Sequence, residues 1–140
     1  MNENTFKAKE LLRADGYTCV LCKGDDIRTS THRGVKPLLA FHESDGAFVG
    51  YSAADKVVGA GAAYLYVLLG ISELWADIIS ERAIAVLDRY AIPHNAEKTV
   101  PQIVNRTGDG YCPIETAVTD ATSPEDALEK IVSTLKKLAV

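Results

Sequence analysis

From Gly46 to Ala83 the chain reads GAFVGYSAADKVVGAGAAYLYVLLGISELWADIISERA, with apolar runs spaced to suit strand, helix, strand and the start of a second helix. Ala47 to Tyr51 is a short run around Phe48 and Val49, consistent with a buried parallel strand. Ser52-Ala53-Ala54-Asp55 then has the Ser-x-x-acid form of a capping box, which predicts a helix from near Ala53. Nearly every residue from Val57 to Leu69 is apolar, and Gly59, Gly61, Ala62 and Ala63 are small. Each such glycine costs about 1 kcal/mol in a helix relative to alanine, so close approach by a neighbour is expected in return. Gly70 is placed to stop this helix, Glu73 to Ile79 reads as the next strand, and Ser80 caps a helix with Glu81 in its first turn.

The flanks follow the same logic. Thr5 to Ala14 is amphipathic, with Phe6, Ala8, Leu11 and Leu12 on its apolar side, and Gly16 ends it. Tyr17 to Lys23, the turn Gly24-Asp25-Asp26 and Ile27 to Thr31 read as a β-hairpin. A short helix containing Pro37 runs to His42 or Glu43. Glu81 to Tyr90 is helical, His94 to Lys98 is a polar edge strand, and Val100 to Val104 is a helical turn begun by Pro101. Beyond a loop from Asn105 to Glu115, Ser123-Pro124-Glu125-Asp126 starts a helix whose stripe is Leu128, Ile131, Val132, Leu135 and Leu138. That stripe serves the core or a partner.

Length adds one constraint: 140 residues suit a single domain, residues 1–140, burying roughly two thirds of its unfolded surface. A formal net charge of −4 argues against non-specific nucleic-acid binding, which needs several phosphates neutralised by Lys and Arg. The Val57 to Ile71 run is too short for a spanning helix, so no membrane association is expected. The N-terminus, MNENTFKAKELL, lacks a signal-like apolar core, and with three cysteines a reduced cytoplasmic chain is the expectation.

Two strand-to-helix entries close in sequence put both helix starts at one edge of a parallel sheet, where ligands of open α/β sheets bind. Asp55, Lys56, Ser80 and Glu81 are the polar side chains expected there, with Lys56 and Glu81 side by side. A cation at a helix start opposes the macrodipole, which gives Lys56 a claim on function. Arg33, the Gly34 amide and Lys36 form either an anion site at a helix start or a basic surface loop. In Asn105-Arg106-Thr107-Gly108-Asp109-Gly110-Tyr111-Cys112-Pro113, two glycines allow close backbone approach to a ligand. Cys112 stands at a helix N-cap, as a small capping residue or as a thiol of lowered pKa. Cys19 and Cys22, three apart in a strand, point to opposite faces and read as ordinary strand cysteines.

Four strings, Arg33-Gly34-Val35-Lys36-Pro37-Leu38, Ala54-Asp55-Lys56-Val57-Val58-Gly59, Asp77-Ile78-Ile79-Ser80-Glu81 and the Asn105 to Pro113 loop, resemble a small prokaryotic family of unknown function assigned to the cytidine-deaminase-like fold. The resemblance runs from about Thr18 to the last helix. It implies a three-layer α/β/α sandwich with a mixed sheet of about five strands. Zinc deaminases of that fold carry His-x-Glu and Pro-Cys-x-x-Cys at successive helix starts. Here Ala54-Asp55-Lys56 and Ser80-Glu81-Arg82 stand in their places, so neither a zinc site nor any other cofactor is expected.

Two functions fit these residues. One is a pocket for a small anionic or nucleotide-like molecule, with Arg33, Lys36, Ser80, Glu81, Asn105 and Arg106 binding it. Its enzymatic form adds Lys56, Asp55 and Cys112 as catalytic groups. The other is a non-catalytic regulatory or interaction module, a homodimer joined through Tyr64, Tyr66 or the last helix.

Overall fold

The computed structural model describes residues 1–45, 48–104, 108 and 110–139. The elements run α1 (Glu3–Asp15), β1 (Cys19–Lys23), β2 (Asp26–Ser30), α2 (Lys36–Asp45), β3 (Ser52–Val58), α3 (Ala60–Leu69), β4 (Glu73–Ser80), α4 (Glu81–Arg89), β5 (His94–Val100), α5 (Pro113–Ala117) and α6 (Pro124–Leu138). Among the described residues the strands form one mixed sheet in the order β2-β1-β3-β4-β5. β1 runs antiparallel to both β2 and β3, and β3, β4 and β5 run parallel, joined by α3 and α4.

The two faces of the sheet are covered unequally. α1 lays Ala8 and Leu12 against Val20, Cys22, Ala54 and Trp75. On the other face α3 carries the main core, with Leu38 of α2, Leu87 of α4 and Ile131 of α6 packed in the same cluster. The result is consistent with an α/β/α sandwich of three layers. Cys19 and Cys22 fall in the two different clusters, as the alternation of side chains along a strand requires.

Neighbours on several sides explain why α3 is apolar nearly all round and rich in small residues. Gly61 shows the constraint: a Cβ built there would lie 2.6 Å from Ile114 Cγ2, a separation that real atoms do not tolerate. The expected close approach of a neighbour is therefore met by α5.

The boundary between β3 and α3 differs from the sequence expectation. Ser52-Ala53-Ala54-Asp55 is strand, buried throughout, and the helix starts at Ala60 with Gly59 as its N-cap. Small side chains suit a central strand with helices on both faces, and the apparent capping box is a coincidence of that composition. Phe48 to Tyr51 is a turn leading into the strand, while Ala47, the predicted first residue of that strand, lies outside the described residues. Val100 to Val104 is likewise not helical. β5 extends through Val100, and Val104 bridges Tyr111 across the loop.

The helix starts at Ser80 and Ser123 are as expected. Each serine oxygen accepts the amide three residues on, from Ala83 and from Asp126, at 3.0 Å. Among the described residues no helix is long and apolar enough to cross a membrane.

Candidate functional site

At the carboxyl ends of β3 and β4 the chain fills the crevice with a side chain of its own. Gly59 offers no capping oxygen, and the orphan amide of Ala60 is met instead by Glu115, 55 residues away. Glu115 Oε2 accepts from Ala60 N at 2.7 Å and from Ser80 Oγ at 2.6 Å, and Oε1 accepts from Ile103 N at 2.7 Å. The carboxylate is 3% exposed and joins α3, the cap of α4 and the strand-to-loop segment in one junction. A buried charge is tolerated there because three donors and two helix N-termini surround it. Gly59 belongs to the same arrangement, since a Cβ on it would stand 2.9 Å from Glu115 Oε2.

Beside this junction a cleft of about 290 Å³ opens between α3, α4 and α5. Ala60, Tyr64, Val86 and Val118 supply apolar wall, and Arg82 and Arg89 of α4 supply positive charge. Arg82 is held in place: Nη1 donates to Thr119 Oγ1 at 3.1 Å. With the Gln102 amide oxygen turned to it, Nε and Nη2 donate there at 3.2 and 2.5 Å. Arg89 lies 5.3 Å from the Tyr90 ring centre and has no ion pair among the described residues.

A second polar cluster is sealed inside the protein. Tyr66 Oη donates to Asp55 Oδ2 at 2.6 Å, Cys19 Sγ lies 3.4 Å from the same hydroxyl, and Val57 N donates to Asp55 Oδ1 at 3.2 Å. Burial pushes the Asp55 carboxyl up to about 7, against the hydrogen bonds from Tyr66 and the backbone, which favour the charged form. The Cys19 thiol and Tyr66 phenol are both driven well above their usual ranges, chiefly by burial and secondly by the charge of Asp55.

The residues singled out in the sequence are dispersed. Asp55 is inside β3, 7% exposed and bound to Tyr66; Lys56, next in the strand, is exposed. Lys56 is thus not at a helix start. In the parallel register Val58 faces Ile79, so Lys56 stands two residues short of that pair and Glu81 two beyond it. Ser80 is buried as the α4 cap, and Glu81 is exposed in the first turn. Arg33 and Lys36 are exposed around Gly34, whose φ of +70° makes the turn into α2. Cys112 is the half-buried N-cap of α5, with no side-chain cap hydrogen bond. Asn105 and Arg106 lie outside the described residues. Tyr64 and Tyr66 are 5% and 0% exposed, so the assembly surface expected of them is not available.

Sequence reasoning passed over Arg82 and Arg89 as cleft residues, Glu115 as a junction, and the partnership of Tyr66 with Asp55. The seven-residue spacing of Arg82 and Arg89 on a helix was a usable signal; the contacts of Glu115 and Tyr66 had none. Among the described residues no three His, Cys, Asp or Glu side chains gather in a metal-holding group.

Fold and site together define an α/β protein with an open mixed sheet and a charged cleft between α3, α4 and α5. Its relatives carry the classification no further than that. The chain belongs to the TM1506 family, a domain of unknown function (DUF1893), whose model matches residues 7–135. It is similar to the crystal structure of a DUF1893 family protein (TM1506) from Thermotoga maritima, with a TM-score of 0.85 and 23% identity over 98% of this chain and 92% of that one. At that identity the likeness speaks for the fold alone. A comparison with curated proteins gives no match.

Proposed function

We propose that this protein binds a small anionic ligand in the cleft between α3, α4 and α5, with Arg82 and Arg89 as its cation partners and no metal required. On this reading the sandwich is a cytidine-deaminase-like one in which Glu115 organises the two helix starts. One observation carries the reading: two guanidiniums, one fixed by Thr119 and Gln102 and one without an acid partner among the described residues, open onto a single cleft. Guanidinium forks match carboxylate and phosphate geometry, which defines the ligand's charge. Lys56, Asp55 and Cys112 are not gathered there, so a reaction using all three is not part of the reading.

Thermal-shift titration with inorganic phosphate tests it. A ligand at a hundredfold over its dissociation constant stabilises the native state by about 2.7 kcal/mol. The gain is expected in the wild type and reduced, with a remainder left through Arg82, in Arg89→Gln. An equal gain in Arg89→Gln, or none in either protein, refutes the cleft as the site.

The rival reading, a non-catalytic homodimeric module, draws on Val104 and Tyr111, which pair across their bridge and are 53% and 64% exposed. Sedimentation as a dimer that Tyr111→Ser converts to monomer supports that reading; a monomer at all concentrations ends it.

A further inference from the structure

Resting on the anion-binding reading of the cleft, we infer that its ligand is a compact molecule with two acid groups, one for each arginine, and not a whole nucleotide. Arg82 and Arg89 stand seven residues apart on α4, about 10 Å along the axis and nearly in line on one face. Ala85 and Val86 lie between them on the cleft wall. One phosphate or carboxylate satisfies one guanidinium fork in bidentate fashion, so a second acid group is needed to engage the other.

The surroundings narrow the ligand further. Thr119 and Gln102 hold Arg82 in one orientation, which makes it a fixed receptor for the first acid group. Arg89 is exposed, lies against the Tyr90 ring and has no ion pair among the described residues, so it is able to swing onto the second. The Glu115 carboxylate, bound to Ala60 N, repels acid groups from that end of the cleft. The ligand's acids therefore lie toward α4, and its spacer faces Ala85 and Val86.

Size argues against a nucleotide. A cleft of about 290 Å³ is at the bottom of the usual range for small-molecule sites, roughly 300–1,000 Å³. Its aromatic wall residue, Tyr64, is 5% exposed and meets Tyr90 edge-on, so it presents no open ring face for a base to stack upon. A short dicarboxylate and a phosphate-carboxylate molecule share the required chemistry, and the choice of probes separates them.

Isothermal titration of the full chain with glutarate, phosphoglycolate, inorganic phosphate and adenosine monophosphate tests the inference. At least one of the two bis-acids is expected to bind at least about tenfold more tightly than phosphate. In Arg89→Gln, a change at an exposed position, that advantage is expected to vanish while residual phosphate binding through Arg82 persists. Arg82→Lys keeps the charge but loses the fork, and is expected to weaken both bis-acids and phosphate without unfolding the chain. If phosphate binds as well as both bis-acids, or the nucleotide binds more tightly than either, the two-acid ligand is wrong and the anion site stands. If none of the four binds, both readings fall.

Discussion

Replacing Glu115 by alanine removes the acceptor for three donors at once, Ala60 N, Ser80 Oγ and Ile103 N. Ala60 and Ser80 are buried, whereas Ile103 is half-buried and regains part of its loss. A buried donor left unsatisfied costs about 1–3 kcal/mol, so the expected destabilisation is about 3–5 kcal/mol. Domains of ordinary stability unfold at a cost of about 5–15 kcal/mol, so the variant gives up a large share of its margin. The corresponding fall in Tm is roughly 10–15 °C for a chain of this length. Glu115→Gln keeps one acceptor oxygen but turns an amide NH₂ toward a donor, and about half of that loss is expected. Urea denaturation followed by the fluorescence of Trp75, which is 5% exposed, measures all three proteins, with an unchanged slope marking a true stability change. A Glu115→Ala midpoint within about 0.5 kcal/mol of wild type, the size of an ordinary surface change, refutes the junction.

Asp55 gives a pH dependence of unusual sign. Its carboxyl is raised from 3.8 to about 7 in the folded state, so the folded protein binds the proton more tightly than the unfolded chain. Its contribution is full below about pH 4 and is lost as pH rises through 7; denaturation at pH 5 and pH 8 is expected to show wild type losing stability relative to Asp55→Asn across that interval. Gly61→Ala is expected to destabilise by about 1–3 kcal/mol despite alanine's better helix propensity, because the new methyl meets Ile114 Cγ2. Combining it with Ile114→Ala is expected to cost less than the sum of the two, and additive losses in chemical denaturation contradict that contact. Cys112 is half-buried while Cys19 and Cys22 are buried, so Ellman's reagent under native conditions is expected to titrate Cys112 first, and Cys112→Ser to abolish the fast phase.

Where local chemistry decides structure, the chain could be read directly. Ser80 and Ser123 cap their helices, Gly70 closes α3 in the left-handed region, and the hairpin turns where Gly24 falls. The Ser52 to Asp55 segment misled because its local signal, a serine followed by an acid, competes with a tertiary fact: two small-residue faces are needed to let α1 and α3 approach β3 from both sides. The cleft touches the crevice where β3 and β4 feed their helices only at Ala60 and Arg82 and runs along α4 to Arg89, and none of Asp55, Lys56, Ser80 and Glu81 lines it. Its residues were harder to name. Arg82 and Arg89 share a face that helical periodicity reveals, but the wall they confront comes from α5, and the partners of Glu115 are 12, 35 and 55 residues distant. Asp55 looked available for chemistry because nothing nearby in sequence announces Tyr66 as its donor across the core.

Amide and arginine side-chain shifts in a ¹H–¹⁵N titration with inorganic phosphate bear most directly on the cleft. Shifts are expected at Ala60, Ala85 and Thr119 and at the Nε groups of Arg82 and Arg89. Shifts centred on Arg33 and Lys36 or on Lys56, with the α4 arginines unmoved, contradict it.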